Sequence, residues 1–107
     1  MDAYTRNNMV RQWINQTCID NNRLDLNSEI RFEWSTRLKS VYAWCWPVLK
    51  KIRFSLPRWE ASSIEENRDT VIHEVCHIIA GDVEHAGEWS EAMTRAGMNP
   101  KKFRGPY

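Results

Sequence analysis

Residues 62–81 constrain this 107-residue chain more than any other stretch. Ser62 and Ser63 each precede a glutamate by three positions (Glu65 and Glu66), the pattern in which a hydroxyl and a carboxylate cap a helix start reciprocally. Ile64, Val71, Ile72, Val75, Ile78 and Ile79 follow at helical spacing, and Gly81 supplies a natural stop. Within this helix lies His73-Glu74-Val75-Cys76-His77. At about 100° per residue, the two histidines stand on one face, a single turn apart. Two imidazoles so placed can hold one metal ion, while Glu74 points to the side, where it can take a proton from water without becoming a ligand.

A third ligand is needed. The only other histidine, His85, lies eight positions past His77, beyond a Gly81-Asp82 turn that can bring the chain back over the helix. His85 is the first candidate, and Glu88 or Glu91 from the next segment are the carboxylate alternatives. Seven residues separate His77 from His85, which excludes the five-residue gap of the metzincin motif. Cys76 falls on the other side of the helix from Glu74, where a small buried residue packs, and is read as core.

The remaining chain divides by its apolar period. Residues 4–19 carry Val10, Trp13, Ile14 and Cys18 on one stripe, as an amphipathic helix does. Asn21 and Asn22 end it. From residue 30 the period becomes two: Ile30, Phe32 and Trp34 alternate with polar residues, 40–46 is aromatic and β-branched until Pro47, and 51–56 alternates again until Pro57. Three short strands with short links predict an antiparallel sheet. A last helix over about 87–96 buries Trp89, Met93 and Ala96, with Gly97 and Pro100 beyond it, and a short basic tail follows at 101–107. The expected fold is α+β: an N-terminal helix, a small three-stranded antiparallel sheet, the HExxH helix and a C-terminal helix, in one domain over 1–107.

No apolar run approaches the roughly 20 residues that span a bilayer. Asp2, Arg6, Asn7, Asn8 and Arg11 break any secretory signal at the N-terminus. The three cysteines, Cys18, Cys45 and Cys76, form no CxxC pair and are read as reduced thiols. A cytoplasmic location is the expectation, or the nucleoid or nucleus if DNA holds the protein.

The segment Asp69-Thr70-Val71-Ile72-His73-Glu74-Val75-Cys76-His77, followed by His85-Ala86-Gly87-Glu88-Trp89, resembles the SprT-like metallopeptidases, which include Spartan. Trp34-Ser35-Thr36-Arg37-Leu38 and Ile52-Arg53-Phe54-Ser55-Leu56 are similar to their upstream region, so the likeness covers about residues 30–100. It implies a zincin-like fold, one catalytic Zn²⁺ on His73, His77 and His85, and Glu74 as general base. Ala86 stands where the family usually has glycine. No cysteine follows Cys76, so the expectation is a minimal catalytic core without the zinc ribbon that often follows this domain.

Charge adds a second theme. Residues 1–59 hold ten Lys/Arg against five Asp/Glu, or +5, and residues 60–107 hold five against nine, or −4, which sum to the net +1. The six tryptophans of the chain concentrate in the basic half. Trp34, Tyr42, Trp44, Trp46 and Trp59 interleave there with Arg31, Arg37, Lys39, Lys50, Lys51, Arg53 and Arg58. Basic side chains track phosphates and aromatic rings stack on unpaired bases, so Arg37, Lys39, Trp44, Trp46, Lys50, Lys51 and Arg53 form a candidate nucleic-acid surface. SprT-like enzymes such as Spartan act on proteins crosslinked to DNA, which points the same way. The expected function is a zinc-dependent endopeptidase acting on a protein substrate, DNA-associated through single-stranded DNA or DNA-bound protein. The alternative is a non-catalytic zinc-containing module that binds nucleic acid or protein.

Overall fold

The computed structural model describes residues 1–102, so the basic tail beyond them lies outside the described residues. Helix α1 (Ala3–Asp20) opens on Asp2, whose carboxylate accepts from the Thr5 amide at 2.8 Å. Its buried stripe is Val10, Ile14, Thr17 and Cys18, with Trp13 packed alongside. A 3-10 turn (Leu24–Leu26) then leads into β1 (Arg31–Ser35).

β2 (Ala43–Trp46) and β3 (Lys51–Ser55) form a hairpin through residues 47–50, closed by Lys50 at φ 53°. β3, not β2, lies beside β1. β1 and β3 run parallel, with Phe32 opposite Ile52 and Trp34 opposite Phe54, while β2 pairs antiparallel on the other edge of β3. The sheet is therefore mixed, in the order β1-β3-β2, and the antiparallel meander expected from the sequence is corrected. Alternation reports which face of a strand is buried and carries no information about its neighbour. The link at residues 36–42 is long enough to carry the chain past one strand position of about 4.8 Å, leaving a slot that β3 fills.

Leu56 does not end β3 but begins α2 (Leu56–Glu60), a short helix absent from the sequence expectation. Ser55 caps it by accepting from the Arg58 amide, and Pro57 sits in its first turn, where a missing N–H costs nothing. Helix α3 (Ile64–Ala80) starts at Ser63 with both capping-box bonds formed, to and from Glu66. Ser62 instead donates to the Arg58 carbonyl and joins α2 to α3. Gly81 closes α3 at φ 80°. Helix α4 (Glu88–Arg95) is the last helix among the described residues.

Two apolar clusters hold these elements, and α3 belongs to both. Val71, Val75 and Ile78 pack with α1 and with Ile52 and Phe54 of the sheet. Ile72 and Cys76 pack with Trp89, Ala92, Met93 and Ala96 of α4. Each fully buried apolar side chain contributes about 1.5–3 kcal/mol, so this sandwiching is what fixes the helix. Every residue from Val71 to Ile78 is buried. A helix wrapped on all sides normally reads apolar throughout, and this one carries His73, Glu74 and His77 into its interior.

Candidate metal centre

Burying three polar side chains on one helix carries a desolvation cost that must be met by partners. The partner arrives from the loop after α3. Between Gly81 at φ 80° and Gly87 at φ 60°, both in backbone regions that disfavour a Cβ, the chain reverses and returns His85 to the helix. His73, His77 and His85 then meet through their Nε2 atoms, each 3.2 Å from the other two. Among the described residues this is the one group of three or more His, Cys, Asp or Glu side chains arranged to hold a metal ion.

The triangle has the dimensions of a metal shell. Four ligands at about 2.0–2.1 Å in a tetrahedron stand about 3.3–3.4 Å apart, close to the spacing seen here. The tautomer also fits. His77 Nδ1 lies 3.1 Å from the Asp82 carbonyl, which can only accept, so Nδ1 carries the proton and Nε2 turns its lone pair to the centre. Burial pushes the His73 and His77 pKa down to about 3 and about 4, and lowers that of His85 too, so all three rings are neutral near pH 7. Neutral imidazole is the form that binds metal.

Glu74 stands beside this triangle, not in it. Its carboxylate approaches His73 Nε2 at 3.8 Å, and burial raises its pKa to about 8. Cys45 of β2 presents its thiol to the Glu74 carbonyl at 3.6 Å, so the sheet edge adjoins the helix at this residue. Cys76 is fully buried in the α3–α4 cluster, as the sequence reading had it. Glu88 and Glu91, the carboxylate alternatives, are exposed and lie outside the cluster.

Two contributors escape a sequence scan. The Asp82 carbonyl that orients His77 is backbone and leaves no residue-type signal. Trp89 reads as ordinary core, yet its indole N–H donates to the His73 carbonyl at 3.2 Å. Its ring also lies 5.1, 5.5 and 4.9 Å from the rings of His73, His77 and His85.

A family model described as the SprT-like family matches residues 8–104. The chain belongs to the SprT-like family. No curated protein matches it. A SprT-like domain is a zincin-like, metallopeptidase-related domain, and in this one the three histidines that could hold a metal ion sit on α3 and the loop that follows.

The aromatic residues of the basic half divide between core and surface. Trp34 and Trp59 turn inward: Trp34 packs on Phe54 and Trp59 at 5.3 and 4.9 Å, and its N–H donates to Asn7 at 2.7 Å. The outer face of this SprT-like sheet carries Trp44 and Trp46 opposite Arg53 and Lys51. Arg53 and Lys51 approach the Trp46 ring at 5.0 and 5.4 Å, and both bind Glu33, at 2.7 and 2.8 Å. Those two bonds, Lys51 first, hold the Glu33 carboxyl below its ordinary range. Lys50 pairs with Glu29 at 3.5 Å in the hairpin turn, and Arg37 and Lys39 are exposed in the 36–42 link.

Proposed function

We propose that this protein is a zinc-dependent endopeptidase that acts on proteins bound or crosslinked to DNA. The observation that carries the reading is the buried Glu74 beside three converging imidazoles. A purely structural metal site gains nothing from an adjacent buried carboxylate, which costs stability to keep there. Catalysis gives it a use.

His73, His77 and His85 would hold the zinc. Bound zinc supplies Lewis acidity toward water and the substrate carbonyl. Three protein ligands leave a tetrahedral position for reactants, as catalytic sites require. Glu74 accepts the proton of the attacking water and returns it to the leaving amine. Burial raises the Glu74 pKa in the metal-free protein, and a bound cation beside it would draw the carboxyl back toward the ionised form that accepts a proton.

For the nucleic-acid half, the outer sheet face supports the reading with Trp44, which is 38% exposed, and with Trp46 set among cations. Exposed aromatics flanked by Lys and Arg suit unpaired bases and their phosphates. Lys51 and Arg53 lie on that face with Glu33 as their partner, and Arg37, Lys39 and Lys50 would add cations from the 36–42 link and the hairpin turn.

The test is cleavage of casein and histone by the zinc-loaded protein, with and without single-stranded DNA, against a chelated sample. Chelator-sensitive cleavage, stimulated by DNA and lost in Glu74→Gln, is expected. Zinc bound stoichiometrically with no cleavage of either substrate would overturn the peptidase and leave a binding module.

A further inference from the structure

Resting on the zinc reading above, we infer that Trp89 is a positioning residue for the third ligand: its indole sets where His85 stands relative to His73 and His77. The three histidines do not come from equally rigid places. His73 and His77 belong to the buried C-terminal half of α3. His85 lies in the loop between two positive-φ glycines and is the least buried of the three. Such a loop does not by itself hold an imidazole to the few tenths of an ångström a metal shell demands.

Trp89 supplies what the loop lacks. It lies one helical turn beyond His85 and enters from the first turn of α4, so loop and anchor share one short segment. Its side chain is fully buried. The indole is stacked on His77, with planes 21° apart, and stands edge-on to His85, with planes 79° apart and centroids at 4.9 Å. The hydrogen bond from its N–H to the His73 carbonyl ties that ring to the turn of α3 bearing the other two ligands. One rigid side chain thus touches all three imidazoles, and its position relative to α3 is pinned by a directional bond.

A generic core residue and a positioning residue predict different things for the metal. Core loss lowers stability and leaves the ligand set to recover on folding. Positioning loss acts through His85 and vanishes once His85 is gone. The decisive measurement is a double-mutant cycle on zinc affinity, read by competition with a chromophoric chelator, for wild type, His85→Ala, Trp89→Phe and the double variant. Trp89→Phe keeps a ring while losing the N–H and part of the stacking, so it retains the fold. It is expected to weaken zinc binding about tenfold, the low end for groups that orient metal ligands. In the His85→Ala background the same change is expected to have no effect. Trp89→Leu, if folded by circular dichroism, is expected to lose up to about 100-fold, again only when His85 is present.

A Trp89→Phe loss that persists undiminished in the His85→Ala protein would overturn the inference, as would unchanged affinity in Trp89→Phe. Wild type and His85→Ala binding zinc equally well would instead overturn the three-histidine reading itself, so the two failures are distinguishable.

Discussion

Replacing Glu74 by Gln tests whether its burial is a burden carried for function. Burial raises the Glu74 carboxyl from 4.5 to about 8. A group whose folded pKa lies above its unfolded value gives stability that is complete below pH 4.5 and lost as pH rises through about 8. At pH 7 the unfolded chain has shed this proton, and folding must recapture it across about 2.5 pH units, at about 1.4 kcal/mol each. The upper limit is thus about 3.5 kcal/mol, and local relaxation reduces it to about 2 kcal/mol. Glutamine keeps the shape without the charge. Metal-free Glu74→Gln should come within about 1 kcal/mol of wild type at pH 5 and exceed it by about 2 kcal/mol at pH 7.5, read by urea denaturation. Activity should move the opposite way, falling at least about 10²-fold with zinc retained. A stability gap independent of pH, or a Gln variant less stable at pH 7.5, would refute the reasoning.

Three further outcomes are expected. In the Glu74→Gln protein, the depressed pKa values of His73 (about 3) and His77 (about 4) mean that the unfolded chain binds protons first as pH falls below 6.5. Metal-free stability should therefore drop between pH 6.5 and 5, approaching about 2.7 kcal/mol per unit at the steepest, and a flat profile by urea titration would contradict the buried neutral rings. Zinc at 100 times its Kd should stabilise the protein by about 2.7 kcal/mol, a Tm rise of about 10 °C that chelator reverses in calorimetry. Trp44→Ala and Trp46→Ala should each weaken single-stranded DNA binding by about 1–3 kcal/mol in fluorescence anisotropy, with affinity falling steeply in salt.

The metal helix was legible because each of its signals is local. The Ser63–Glu66 box, the apolar period and Gly81 all act within one turn of the residues that carry them. His85 was legible for a different reason: with three histidines in the chain, the third had few alternatives. Sheet order was not legible, because the slot beside β1 is filled by a strand twenty residues away and nothing in either strand names its partner. The tryptophans were only partly legible for a related reason. Alternation set Trp34 on the apolar face of β1, but it gives no phase between strands, so the outward turn of Trp44 rested on its neighbouring cations alone. Pro57 was read as the stop of β3, yet β3 ends at Ser55 and the proline lies in the first turn of α2, which only the Ser55 cap distinguishes from an ending.

The eight residues of α4 have a kinetic consequence. So short a helix does not persist in water alone and lasts only while Trp89, Ala92, Met93 and Ala96 stay docked on Ile72 and Cys76. Opening that corner would detach His85 and leave His73 and His77 in place on α3. How long a bound ion stays is then governed by local unfolding of one corner, whatever the melting temperature of the rest. Amide hydrogen exchange in α4 and the rate of metal exchange should accordingly rise and fall together across variants, while the amides of α3 keep their protection.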